Sequence, residues 1–167
     1  MSGFGTIAGG ECLGSVIPAP VTATEGEIAA DWYPAINLDR LRLDQRIGTR
    51  QVVTPERLRD AVRAALLSID NQLGAWAAVQ TLAGHASLAD VPAKKIDGIS
   101  RLVIAFHRAV GALTKVELIE RHRDLDTTAG GDRDAGALDP TIGELHRDAV
   151  HAIRDILGRT RTDVELL

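Results

Sequence analysis

The chain has 167 residues, of which 45% are hydrophobic and 25% charged, with a formal net charge of −4. That length suits one domain able to bury about 70% of its unfolded surface, and the composition is that of a soluble globular protein. Cys12 is the only cysteine, which excludes an intrachain disulfide and a cysteine-built zinc site; no run of about 18 apolar residues is present to span a membrane, and the charge lacks the broad basic footprint of a sequence-independent DNA binder.

Residues 1–30 carry Glu11, Glu25 and Glu27 but no lysine or arginine. They are glycine-rich, have little periodicity, and contain Pro18-Ala19-Pro20, which favours extended backbone. With no basic residue ahead of its apolar stretches, this segment is not expected to be a signal peptide. It reads as a flexible arm whose apolar residues Ile7, Val16 and Ile17 suit docking on a partner. Trp32-Tyr33-Pro34 then places two aromatics side by side in a chain that is only 3% aromatic, as an anchor to a core or a partner. Aliphatic side chains and alanine must fill the rest of the core.

Four helices are expected. Asn37 is the N-cap of a short one, Leu38–Arg46, stopped by Gly48. Thr54 caps the second, with Pro55 at its first position and Glu56 favouring the dipole. Leu58, Val62, Ala65, Leu66, Ile69, Leu73 and Trp76 recur there at helical spacing, continuing toward Gly84. Gly74 either weakens this helix or admits a close neighbour. After a loop containing Pro92, a third helix is expected from about Ile96 to His122. Its apolar side is Leu102, Phe106, Val110, Leu113 and Val116, with a second series, Ile104, Gly111 and Leu118, that implies cover on more than one side. Residues 124–139 read as a long acidic loop. Pro140 and Thr141 open a last helix with the stripe Ile142, Leu145, Ala149, Ile153 and Ile156, ended by Gly158. The domain organisation is then an arm (1–30), an all-α bundle of about four helices (31–158) and an extended tail (159–167).

The chemical motifs fail on context. Gly3-Phe4-Gly5 resembles a nucleotide loop, but no strand can precede it so near the terminus. His122-Arg123-Asp124-Leu125 spells a kinase catalytic loop, yet the metal-holding asparagine position is Ala129 and no Asp-Phe-Gly follows. In the acidic loop, Ala129 and Ala135 occupy positions where a calcium loop needs glycine and glutamate. The histidines, His85, His107, His122, His146 and His151, show no zinc spacing, and no Gly-x-Ser-x-Gly element is present. No catalytic residue, metal site or cofactor is assigned.

One constellation does stand out: Lys94, Arg101, Arg108, Lys115 and His122 recur every seven residues. A helix drifts only about 20° over seven residues, so these would form one basic stripe. It is either a solvated face paired locally with Asp97, Glu117 or Glu120, or a contact for a neighbouring subunit's acidic loop or for nucleic acid. The candidate contact residues are Lys94, Arg101, Arg108, Lys115, Asp132, Arg133, Asp134, Trp32 and Tyr33.

Read together, Trp32-Tyr33-Pro34-Ala35-Ile36, Thr54-Pro55-Glu56-Arg57-Leu58-Arg59, Leu88-Ala89-Asp90-Val91-Pro92-Ala93 with Ile96-Asp97-Gly98, Glu120-Arg121 with Arg123 and Asp126, and Thr141-Ile142 with Leu145, Arg147 and Asp148 carry a resemblance. In that order and spacing the chain resembles the head completion/stabilisation proteins (GPL family) of contractile-tailed temperate phages. The arm before Trp32 and the stretch Ser100–Val103 fall outside the match. The resemblance implies a non-enzymatic virion protein at the head–tail junction, present in the host cytoplasm during assembly. It also implies an adaptor ring below the portal that continues the DNA channel. The implied partners are the portal protein, neighbouring copies, neck or tail completion proteins, and the packaged DNA in the channel, with no membrane. Both chain ends are expected to order only on such partners. The alternative is a bacterial helical interaction or regulatory domain unrelated to virions.

Overall fold

A computed structural model describes residues 26–48, 52–123 and 141–160. Strands β1 (Glu27–Ala30) and β2 (Tyr33–Asn37) form an antiparallel hairpin that runs directly into α1 (Leu38–Asp44). α2 (Pro55–Leu82) follows, then a 3-10 turn at Leu88–Asp90, a second hairpin of β3 (Lys95–Ile96) and β4 (Ile99–Ser100), and α3 (Arg101–Arg123). α4 (Ile142–Ile156) is the last described helix.

The caps fall where the sequence puts them. Asn37 Oδ1 accepts the Arg40 N–H at 2.8 Å, and Thr54 Oγ1 accepts the Arg57 N–H at 3.3 Å, with Pro55 opening α2. Each satisfies an orphan donor of a helix first turn. At α4, Thr141 and Glu144 form a reciprocal capping box. The Thr141 backbone and side chain both donate to the Glu144 carboxylate, at 2.7 and 3.0 Å, and hold its pKa below the ordinary value.

The fold is mostly helical rather than all-α, and three expectations need correction. Glu27–Ala30, assigned by composition to the arm, is a strand: Ile28 stands opposite Ile36, and both are buried. The first helix ends at Asp44 rather than Arg46, which adopts φ 51°. The third helix begins at Arg101 rather than near Ile96. Asp97 (φ 50°) and Gly98 (φ 75°) take up left-handed backbone in succession, the signature of a two-residue hairpin turn, and this folds Ile96 back against Ile99. The expected acidic loop and the tail beyond Thr160 lie outside the described residues.

α3 lies between α2 and α4 and packs on both. Leu58, Ala61, Val62, Ala65, Ile69 and Leu73 supply the buried face of α2, and Leu145, Ala149, Ala152, Ile153 and Ile156 that of α4. On α3, every residue from Ala109 to Thr114 is buried. Gly111 permits this, since a Cβ there would lie 2.5 Å from the Gln45 side-chain nitrogen at the end of α1. Gly74 has no such role; a Cβ there would make only an ordinary contact, 3.9 Å from Asp70.

An aromatic bracket ties the first hairpin to the helices. Tyr33 stacks on the fully buried Phe106 at 5.1 Å, and its hydroxyl donates to Asp70 Oδ1 at 3.3 Å. Trp32 meets Tyr33 and Trp76 edge-on, donates from Nε1 to the His85 carbonyl at 3.1 Å, and accepts the Leu88 N–H on its own carbonyl at 3.0 Å. The hairpin, α2, α3 and the segment after α2 therefore meet at two adjacent side chains. Burial, followed by the charge of Asp70 and the hydrogen bond to it, raises the Tyr33 pKa from 10.0 to about 12.

Two measurements check this centre. Phe106→Ala removes a completely buried ring on which Tyr33 stacks, and should cost about 3–5 kcal/mol in denaturant unfolding. Tyr33 is the only tyrosine, so ultraviolet absorbance reads it directly, and its folded-state ionisation should be centred near 12. The unfolded phenol loses its proton first, so stability should fall as pH rises from 10 toward 12.

Candidate protein-interaction site

Two members of the basic stripe, Arg101 and Arg108, meet α4 of the same chain. Arg108 Nη2 lies 2.9 Å from Asp148 Oδ1, and Arg101 Nη2 donates to the Asp155 carbonyl at 2.8 Å. The helices run antiparallel, so seven-residue steps along α3 meet seven-residue steps along α4. Asp155 lies in the last turn of α4, where carbonyls have no intrahelical donor, so Arg101 acts as a cationic cap there. The local acidic partners weighed for the stripe are Asp97, Glu117 and Glu120. Of these, Glu117 pairs with Arg121, at 3.3 Å.

The other candidates separate in space. Lys94 precedes the β3–β4 hairpin and so is not on α3, although its carbonyl accepts the Arg101 N–H at 2.9 Å. Lys115 is half-buried on α3. Trp32 and Tyr33 are half-buried and committed to the internal bracket. Asp132, Arg133 and Asp134 lie outside the described residues. His122 and Arg123 form the end of α3, which is where the kinase-like spelling begins. Among the described residues, no group of three His, Cys, Asp or Glu side chains is arranged to hold a metal ion. No described helix is long and apolar enough to cross a membrane.

Two surfaces that the sequence did not single out have the character of contact sites. The β3–β4 hairpin exposes Ile96 and Ile99 at 60% and 50%, beside the exposed Lys94 and Lys95. The second is an apolar groove of about 860 Å³ between β1 and α2. Ile28, Ala29 and Ala30 form one wall, and Leu66, Leu67 and Ala78 the other. Asp-Gly between two isoleucines was the available signal for the hairpin. For the groove there was a weaker one: Leu67, which lines it, falls off the buried face of α2 and is more than half exposed.

Comparison with known proteins gives the same assignment as the motif order. The family model described as "Phage head completion protein (GPL)" matches residues 28–167. The "Head completion/stabilization protein" of Escherichia phage P2 is 35% identical over 161 residues, covering 96% of this chain and 89% of that protein. No solved structure matches. This is a family of structural phage proteins rather than of enzymes, and the match sets aside the reading as a non-viral regulatory domain. The chain belongs to the phage head completion protein (GPL) family.

Proposed function

We propose that this protein completes and stabilises the DNA-filled head as an adaptor ring below the portal, and that neck or tail proteins attach to the ring. The observation that carries the reading is the family match over residues 28–167, joined to a near-full-length relative whose name states head completion and stabilisation. A ring is closed by heterologous contacts, in which each subunit presents two unlike faces. Separate, dissimilar exposed surfaces support this. One is the hairpin tip with Lys94, Lys95, Ile96 and Ile99, and another is the apolar side of α2 with Leu67, Val79 and Leu82.

In this reading the hairpin and the half-exposed Arg108 side of α3 meet the next subunit or the portal, with Arg101 and Lys115 on the same flank. The acidic segment containing Asp132, Arg133 and Asp134 reaches toward the same partners. Trp32 and Tyr33 support the contact surface from beneath, by fixing the first hairpin. The arm ahead of β1 and the tail from Arg159 grip the portal, and the protein resides at the head–tail junction, with DNA passing through the ring.

Electron microscopy of DNA-filled heads made with and without this protein tests the ring. A ring of density directly below the portal is expected only when it is present; heads completed without such density would remove the ring and leave the head-completion role. A second experiment separates a contact from an internal support. The Arg108–Asp148 pair is about half exposed on both sides, so either alanine substitution should cost about 0.2–1 kcal/mol in stability. Arg101→Ala, Arg108→Ala and Lys115→Ala combined should reduce the yield of stable filled heads well beyond Asp148→Ala alone. Equal yields would make the stripe a purely intramolecular brace.

A further inference from the structure

The β3–β4 hairpin carries its exposed side chains in a fixed order. Its register sets Ile96 opposite Ile99 and Lys95 opposite Ser100, and the Arg101 N–H on the Lys94 carbonyl extends the ladder by one pair. Successive side chains of a strand alternate between faces, so Lys94, Ile96 and Ile99 share one face, and the buried Ser100 lies on the other. Asp97 forms the turn beyond Ile96. From base to tip, the outer face therefore reads cation, two apolar side chains, anion.

The groove side of α2 carries the complementary order. Arg63, Leu66, Leu67 and Asp70 all line the groove, and Leu67 is 67% exposed. No charged residue follows on α2 from Asn71 to Leu82, so Asp70 stands at the edge of an uncharged stretch. Arg59 reaches the Glu27 carbonyl and Tyr33 reaches Asp70. Asp31, which follows β1, thus lies toward the Asp70 end of the groove and adds a second carboxylate there. The spacings agree as well. From Arg63 to Asp70 the helix rises about 10 Å, and from Lys94 to Asp97 an extended chain also covers about 10 Å.

We propose that the β3–β4 hairpin of one copy seats in the β1–α2 groove of the next. Lys94 then meets Asp70, Ile96 and Ile99 cover Leu66 and Leu67, and Asp97 meets Arg63. The existing partners of these groups leave room for this. Arg63 holds Asp60 through an exposed pair at 3.1 Å, which contributes little in water. Asp70 Oδ1 accepts the Tyr33 hydroxyl, and a carboxylate accepts several hydrogen bonds at once. A subunit cannot fill its own groove in this way. Lys94 and Arg101 line a smaller cleft together with Trp76, and Trp76 is about two and a half turns from Leu67, on the opposite side of α2. Hairpin and groove therefore lie on opposite sides of one helix, and the contact is head-to-tail, the kind that closes a ring. It rests on the ring proposed above and names the surfaces that join its subunits.

Cysteine cross-linking in completed heads tests this contact. In a Cys12→Ser background, Leu67→Cys and Ile99→Cys in one chain, treated with a short bismaleimide, should give a ladder of cross-linked multimers. Each single variant should give none, and a mixture of the two singles should give dimers only. The yield should be several-fold above that of Ile99→Cys paired with Leu43→Cys, a control position 75% exposed on α1. Adding Lys94→Glu sets a carboxylate against Asp70 and should lower the yield several-fold. The proposal is overturned by a yield equal to the control, by copies linked through either single variant alone, by a link from Ile99→Cys to the portal, or by a ladder indifferent to Lys94→Glu. Electron microscopy of the parent heads separates this contact from the ring itself. Ring density without a ladder removes the hairpin-in-groove contact and leaves the ring, whereas heads without ring density remove both.

Discussion

The structure depends on the middle of α3 being enclosed on all sides. Six consecutive residues, Ala109–Thr114, are buried, which is more than one and a half turns with no solvent face. Such a helix cannot carry large side chains all round, because its neighbours must reach it at close range. The sequence answers with Ala109, Gly111 and Ala112 between Val110 and Leu113. The absent side chain at Gly111 makes room for Gln45 at the end of α1. With aromatics at only 3% of the chain, the one large ring on this helix, Phe106, sits where the first hairpin also needs a floor, and Tyr33 stacks on it. The enclosed helix and the aromatic bracket are thus one arrangement, since the ring that completes the core also holds the hairpin in place.

The helices were legible because their signals are local. A cap and its hydrogen-bond partner are three residues apart, as at Asn37 and Arg40 or Thr54 and Arg57, and an apolar stripe needs only its own helix to be recognised. The hairpins were less legible for the same reason. β1 has four residues with one β-branched side chain, Ile28, and becomes a strand because Ile36 across the ladder is buried with it. β3 and β4 have two residues each, too few for a period, and only the Asp97-Gly98 turn betrays them. Missing that turn extended the third helix backwards, and so placed Lys94 on a stripe that begins at Arg101.

The stripe shows the difference between finding a face and knowing what covers it. A seven-residue recurrence of Arg101, Arg108 and Lys115 fixes a common side of α3 from sequence alone. Nothing in the recurrence says whether solvent, a partner or another helix lies opposite. The answer is in the antiparallel register, which sets Arg108 against Asp148 and Arg101 against the carbonyl of Asp155. The acidic and basic segments of the chain complement each other within one subunit before any question of a neighbour arises. Both members of the Arg108–Asp148 pair remain about half exposed, so in water the pair contributes little to stability and stays within reach of an approaching chain.

Among the described residues, the core and the exposed apolar surface are set apart. α3 and its neighbours bury most of the large aliphatic side chains. Exposed apolar surface remains on a hairpin tip, at Ile96 and Ile99, and on α2, at Leu67, Val79 and Leu82, among other places. Hydrophobic surface left out of a well-packed core costs the isolated subunit little, since unfolding exposes it too, and it contributes to association when a complementary surface covers it. The bracket of Trp32 and Tyr33 is turned inward, yet it still shapes this surface. By fixing the first hairpin against α2, it keeps one wall of the groove at a set distance from the other.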